Sequence, residues 1–158
     1  MEQHWAESQM DQWRQAMERP IQFVKLRPEA VTPKLAKPGD VGFDLVCLDG
    51  GFVPPHSYVS FHSGIAIKLP AGLWAMITGR SSTWRNRGLI SMQGIIDTEY
   101  TGELLSGVFN PGDEPVFVEP DARLKQVLIF PALTPPWVEV DKLPETVRGT
   151  SGFGSSDA

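Results

Sequence analysis

The sequence predicts an all-β domain with a short helix at its N-terminus, and three observations lead there. Fifteen glycines and fourteen prolines are spread along 158 residues, so the chain breaks into many short segments and long helical bundles are excluded. Ile65, Ile67 and Leu69 alternate strictly with Ala66 and Lys68, which is the two-residue period of a strand. Further apolar runs at 73–78, 104–109, 115–118 and 126–130 are separated by Pro54-Pro55, Pro70-Ala71-Gly72, Pro111-Gly112-Asp113 and Pro135-Pro136. Short strands punctuated by turns predict a sandwich or barrel rather than alternating β and α units. With 41% hydrophobic and 21% charged residues, one domain can bury a core, and a disordered chain is excluded.

Taken in order, residues 1–20 form a helical extension, because Trp5, Trp13 and Met17 recur at near-helical spacing and Pro20 lies just beyond. Residues 21–140 are the β domain. Ile21, Phe23 and Leu26 open a strand-like run, and Pro28, Pro33, Pro38 and Gly39 interrupt the chain after it. Ser82 to Arg87 is the one helical turn inside the domain, with Ser81 or Ser82 available as N-cap. Residues 141–158 form a Gly/Ser-rich tail. Its last ten residues hold three glycines, four serines or threonines and one aromatic, Phe153, too little to stay ordered alone.

Several function classes are unsupported. No run approaches the roughly 18–20 apolar residues that span a bilayer, and MEQHWAESQM lacks a basic then apolar leader, so neither membrane insertion nor secretion is expected. A single cysteine, Cys47, forms no internal disulfide, and His4, His56 and His62 lack zinc-ligand spacing. A reducing, cytoplasmic setting fits best. A net charge of −5 repels nucleic acid, whereas a small phosphorylated molecule can be held by a few arginines and a metal ion.

Five segments carry residue types suited to such a ligand. Gly39-Asp40-Val41-Gly42-Phe43-Asp44-Leu45 sets glycines around Asp44 at a strand entrance; read locally, Asp44 is a turn carboxylate bonding nearby amides. Thr78-Gly79-Arg80-Ser81-Ser82-Thr83-Trp84-Arg85 runs a strand into hydroxyls at a helix start, where amides and dipole favour phosphate and Arg80 adds a guanidinium. Its plain alternative is an N-cap among surface arginines. Gly94 to Leu104 reads as a β-hairpin that delivers Asp97 into its turn, offers main-chain groups to a flat heterocycle, and sets Tyr100 against a sugar. A hairpin without a ligand has the same pattern. Arg123-Leu124-Lys125-Gln126 enters the apolar run 127–130. In Arg148-Gly149-Thr150-Ser151-Gly152-Phe153-Gly154-Ser155-Ser156, glycines beside Phe153 let the backbone approach a ligand while the ring covers it; a frayed end is the alternative. No Walker lysine is present after these glycines.

In this order the five segments resemble the motif set of the trimeric dUTPase family, from Gly39 to Ser156. The resemblance implies a distorted jelly-roll β-barrel, assembled as a homotrimer with active sites shared between subunits. It further implies hydrolysis of dUTP to dUMP and pyrophosphate with Mg²⁺, limiting dUTP and supplying dUMP for thymidylate synthesis. Asp44 would then hold the metal–triphosphate complex through water, with Arg80, Ser81, Ser82 and Gln126 at the phosphates and Arg123 in support. Asp97 would orient and deprotonate the water that attacks the α-phosphorus. Tyr100 would pack on the deoxyribose and exclude a 2′-hydroxyl, and main-chain groups near Gly94 and Gly107 would read uracil. Arg148 would meet the terminal phosphate, and Gly152 and Phe153 would bring a ring over the base.

The chain departs from the family pattern at Ser151 and Asp157, where glycine is usual or frequent, and at Lys125, where a small apolar residue is common. Arg80 to Leu89 also resembles the dCTP deaminases, but their proton-shuttling glutamate, ten residues after the third-motif aspartate, is replaced here by Gly107. A different class, a nucleotide-responsive interaction protein, is motivated only by the Trp5 and Trp13 extension, for which packing on the β domain is the alternative.

Overall fold

The computed structural model describes residues 2–150, with side chains from residue 7 onward. A helix, α1 (Glu2–Glu18), precedes ten strands: β1 (Gln22–Lys25), β2 (Phe43–Leu45), β3 (Gly51–Val53), β4 (Tyr58–Lys68), β5 (Leu73–Gly79), β6 (Ile90–Ser91), β7 (Gly94–Ile96), β8 (Glu103–Phe109), β9 (Val116–Val118) and β10 (Lys125–Pro131). A second helix, α2 (Ser81–Arg87), lies between β5 and β6. The long apolar runs of the sequence are therefore strands β4, β5, β8 and β10.

Ladders join β1-β4-β8-β6 into one sheet, β2-β10-β5-β7 into a second, and β3-β9 into a two-stranded third. The two larger sheets face each other across a core of Leu45, Ile65, Ile67, Ala75, Ile77, Leu104 and Val127. Leu45 and Ile65 are fully enclosed, so trimming either to alanine costs about 2–5 kcal/mol. A second cluster seals β3 and β9 with Cys47, Phe61, Leu89, Val108 and Leu124. The turn at Pro111-Gly112-Asp113 is tied inward by Asn110, whose Nδ2 donates to Val53 O (3.0 Å) and Glu114 O (2.8 Å).

Three expectations change. The ladders form open sheets rather than a closed barrel among the described residues. An apolar cleft of about 220 Å³, lined by residues including Phe23, Phe43, Ile67 and Ile129, lies between β1 and the β2–β10 pair. Gly94 to Leu104 is not a hairpin: β7 pairs with β5, while β8 pairs with β4 and β6. The intervening turn therefore crosses from one sheet to the other, a distinction that local alternation cannot make because it fixes faces and not partners. The N-cap of α2 is Arg80, which makes no side-chain capping bond, rather than Ser81 or Ser82. At the other end Gly88 takes φ 65°, and the amides of Gly88 and Leu89 return to Trp84 O and Thr83 O, a glycine αL cap.

The extension packs on the β domain: Ala16 is buried, and Trp13 Nε1 donates to Ala132 O (3.1 Å). Beyond β10, residues 132–150 hold no regular element and are largely exposed. No described helix is long and apolar enough to cross a membrane.

Candidate active site

Asp44 sits in β2 opposite Gln126 of β10, and Gln126 faces Thr78 of β5 on its other side. Only 6% of Asp44 is exposed, so its charge needs partners. Arg80 Nε lies 2.9 Å from Oδ1 and Arg123 Nη1 lies 3.5 Å from Oδ2. Asp44 is thus held by cations and not by turn amides. Oδ2 has no hydrogen-bond partner among the described residues, which leaves an acceptor lone pair for a water. Gln126 lies against Gly42, where any Cβ would overlap its carboxamide, and its Nε2 reaches Gly79 O at 3.5 Å.

Arg80 is fixed from three directions. Its backbone N–H donates to Leu124 O (3.1 Å), its Nη1 to Arg123 O (3.3 Å), and its Nε meets Asp44. Thr83 Oγ1 adds a 2.5 Å bond to Leu124 O that pins α2 to the start of β10. Arg80, Ser82, Asn86, Arg87, Asp121 and Arg123 line a polar cleft of about 620 Å³. Its three guanidiniums are each ion-paired, Arg80 and Arg123 with Asp44 and Arg87 with Glu119 (2.8 Å), and each carries further N–H groups of the kind that hold phosphate oxygens in pairs. Ser81 is exposed beside it. Sequence motifs alone do not single out Arg87 and Asn86. The available signal is spacing, since Arg80 and Arg87 lie two helical turns apart and share a face.

The second group lies at the end of β7. Asp97 is exposed and makes no ion pair or side-chain hydrogen bond to the described residues, while its carbonyl accepts from the Tyr100 amide (3.1 Å). Its loop is held on both sides: Thr98 Oγ1 donates to Leu73 O (2.6 Å), and Lys68 Nζ donates to Thr98 O (2.9 Å) and pairs with Glu99 (2.6 Å). Tyr100 OH donates to Glu103 O (3.1 Å), with its ring laid over Gly102. Gly94 begins β7, whose outer edge carries no strand among the described residues. Gly107 instead lies inside β8, opposite Ser60, with its carbonyl taken by the Met92 amide (3.2 Å).

The two groups do not meet within one chain. Asp97 stands three ladders away from Asp44 and about four residues further along the sheet, a separation of about 20 Å at ordinary strand spacing and rise. Arg148 lies in the exposed stretch after β10; Gly152 and Phe153 fall outside the described residues. No three His, Cys, Asp or Glu side chains gather as a metal-binding group among the described residues.

The dUTPase family model matches residues 28–157. The chain belongs to the dUTPase family. It is 38% identical over 135 residues to the deoxyuridine 5'-triphosphate nucleotidohydrolase of Hydrogenobaculum sp. (strain Y04AAS1), spanning 84% of this chain and 94% of that one. It is 36% identical over 141 residues to the protein of the same name from Desulfitobacterium hafniense (strain DSM 10664 / DCB-2), spanning 86% and 93%. The solved dUTPase of Staphylococcus bacteriophage 80alpha with dUPNHPP shares the fold at a TM-score of 0.81 and 23% identity, over 87% of this chain and 98% of that one. A dUTPase from phage phi11 of S. aureus, studied for its coordination of a structural Mg(II) ion, matches at a TM-score of 0.72 and 20% identity, over 78% and 98%.

In this dUTPase β2 to β10 and the exposed stretch after them fall inside the family match, and α1 and β1 fall outside it. The Asp44–Arg80–Arg123 cluster lies wholly within that match.

Proposed function

We propose that this dUTPase hydrolyses dUTP to dUMP and pyrophosphate in sites assembled from more than one subunit of a homotrimer, in the cytoplasm. The observation that carries the composite site is the separation of about 20 Å between Asp97 and the Asp44 cluster. A water held by Asp97 cannot reach a phosphate lying on Arg80 of the same chain, whereas three-fold assembly can bring the two groups together. The jelly-roll sheets, open along the β1 to β2–β10 seam within one chain, close into the barrel of the family in the same reading.

Asp44, Arg80, Ser81, Ser82 and Gln126 bind the triphosphate, with Arg148 at its terminal phosphate. The convergence of Arg80, Arg87 and Arg123 on one cleft supports this assignment. Arg123 steadies Asp44. Oδ2 of Asp44, which accepts no hydrogen bond among the described residues although Arg123 Nη1 stands 3.5 Å away, would hold Mg²⁺ through water, since Mg²⁺ keeps several waters when phosphates supply its other ligands. Bound with the nucleotide, Mg²⁺ neutralises phosphate charge.

Asp97, on an exposed loop held by Lys68 and Thr98, accepts the proton of the attacking water. Such general-base help is worth about 10²–10⁴-fold in rate. Tyr100, whose hydroxyl is anchored to Glu103 O, presents its ring edge to the sugar and leaves no room for a 2′-hydroxyl. Gly94 and the free edge of β7 read uracil through main-chain donors and acceptors, and Gly152 and Phe153 bring the aromatic cover.

The test is incubation with dUTP, dCTP and UTP in the presence of Mg²⁺, with identification of products. Pyrophosphate and dUMP from dUTP alone are expected; ammonia from dCTP, or equal use of UTP, contradicts the reading. Asp97→Asn should keep nucleotide affinity and lose turnover by about 10²–10⁴-fold.

A further inference from the structure

Among the described residues Lys125 is the one buried lysine, with 2% of its surface exposed. It enters the core from β10 between Leu45 of β2 and Gly79 of β5, on the opposite face from Gln126. Its Nζ donates to Met92 O. Gly79 lets β6, which leads into Met92, lie close against β5, since a Cβ there would collide with Ser91. Burial drives the amine down to about 8, with the Cys47 thiol partly offsetting the shift. A lysine is a costly choice at such a position, and nothing in the core packing demands it.

Its ammonium group holds the chain between β6 and β7. Met92 and Gln93 carry the backbone from the β8-paired sheet to the β5-paired sheet, and both side chains face outward. No apolar anchor pins this crossing. Its described ties are the Met92 amide to Gly107 O (3.2 Å) and the Met92 carbonyl to Lys125. Gly94, the first residue of the free strand edge, comes two positions later.

We infer that Lys125 is a positioning residue for base recognition, clamping the Met92 carbonyl so that the Gly94 edge is presented in register to uracil. The lysine thereby links the strand that carries Gln126 to the strand edge that reads the base. This rests on the dUTP reading above. Lys125 touches no substrate atom; it acts through Met92.

The test compares parent, Lys125→Met and Lys125→Gln as full-length protein. Loss of a charged donor to a single carbonyl should raise KM for dUTP by about tenfold or more, change kcat by less than threefold, and narrow the preference for dUTP over dCTP. Inhibition by inorganic pyrophosphate should stay within twofold of the parent, because Arg80, Gln126 and Asp44 are untouched. An unchanged KM and base preference in a folded variant overturns the inference. So does equal weakening of pyrophosphate inhibition, or failure of both variants to fold, since either makes Lys125 a general structural residue. A parent that does not hydrolyse dUTP would defeat the broader reading first, so the two failures are distinguishable.

Discussion

Asp44 and Gln126 stand opposite each other across the β2–β10 ladder, one charged and clasped by Arg80 and Arg123, the other neutral and lodged over Gly42. A backbone register thus brings together two residues far apart in the chain. A side chain at 42 would displace the Gln126 carboxamide from its present place, so Gly42 serves the position of Gln126 as well as the turn.

Removing the carboxylate should disturb both stability and activity. Asp44→Asn leaves Arg80 and Arg123 without their counter-ion in a site where Asp44 is nearly enclosed but both arginines reach solvent. The expected loss is about 1–3 kcal/mol, read from urea midpoints, together with a weaker response of turnover to added Mg²⁺. An unchanged Mg²⁺ titration would remove Asp44 from the metal's surroundings.

The segment after Glu145 should be dispensable for folding. Residues 132–150 are largely exposed, and Val147 and Trp137 bury nothing in one chain. Truncation after Glu145 should leave the thermal transition of the β domain near that of the parent while abolishing most turnover. A truncated protein that fails to fold would contradict this.

The buried lysine gives a pH signature. Its folded pKa of about 8 lies below the 10.5 of the free side chain, so between those values the unfolded chain binds a proton that the folded chain does not. Stability contributed at Lys125 therefore rises with pH across that window, and below it the buried ammonium costs on the order of 3 kcal/mol. Relative to Lys125→Met, the parent should gain stability as pH rises from about 8 towards 10.5, measured by urea unfolding of both proteins. A constant difference would show that the amine is not desolvated.

Long strands are legible in the sequence because β4, β5, β8 and β10 each carry several buried or partly buried aliphatics bounded by Pro or Gly. Strands of two or three residues, such as β3, β6 and β7, hold too few residues for a period to emerge. The Gly94–Leu104 turn looks like a hairpin in sequence because alternation reveals which face a residue takes and not which strand it pairs with. The partnership of Asp44 with Arg80 and Arg123 is likewise hidden, since it depends on β2 and β5 flanking β10. Lys125 gives no local sign of burial, because lysine is ordinarily exposed.

In the trimer proposed above, Asp97 of one subunit serves Arg80 of another. Asp97→Asn and Arg80→Ala proteins, each inactive alone, should be unfolded together, refolded in equal amounts and assayed with dUTP. Random assembly of a three-fold ring leaves about one quarter of composite sites with both residues intact, so about one quarter of parental activity should return. Activity no higher than that of the separate variants, in mixed assemblies shown to contain both chains, would contradict the account.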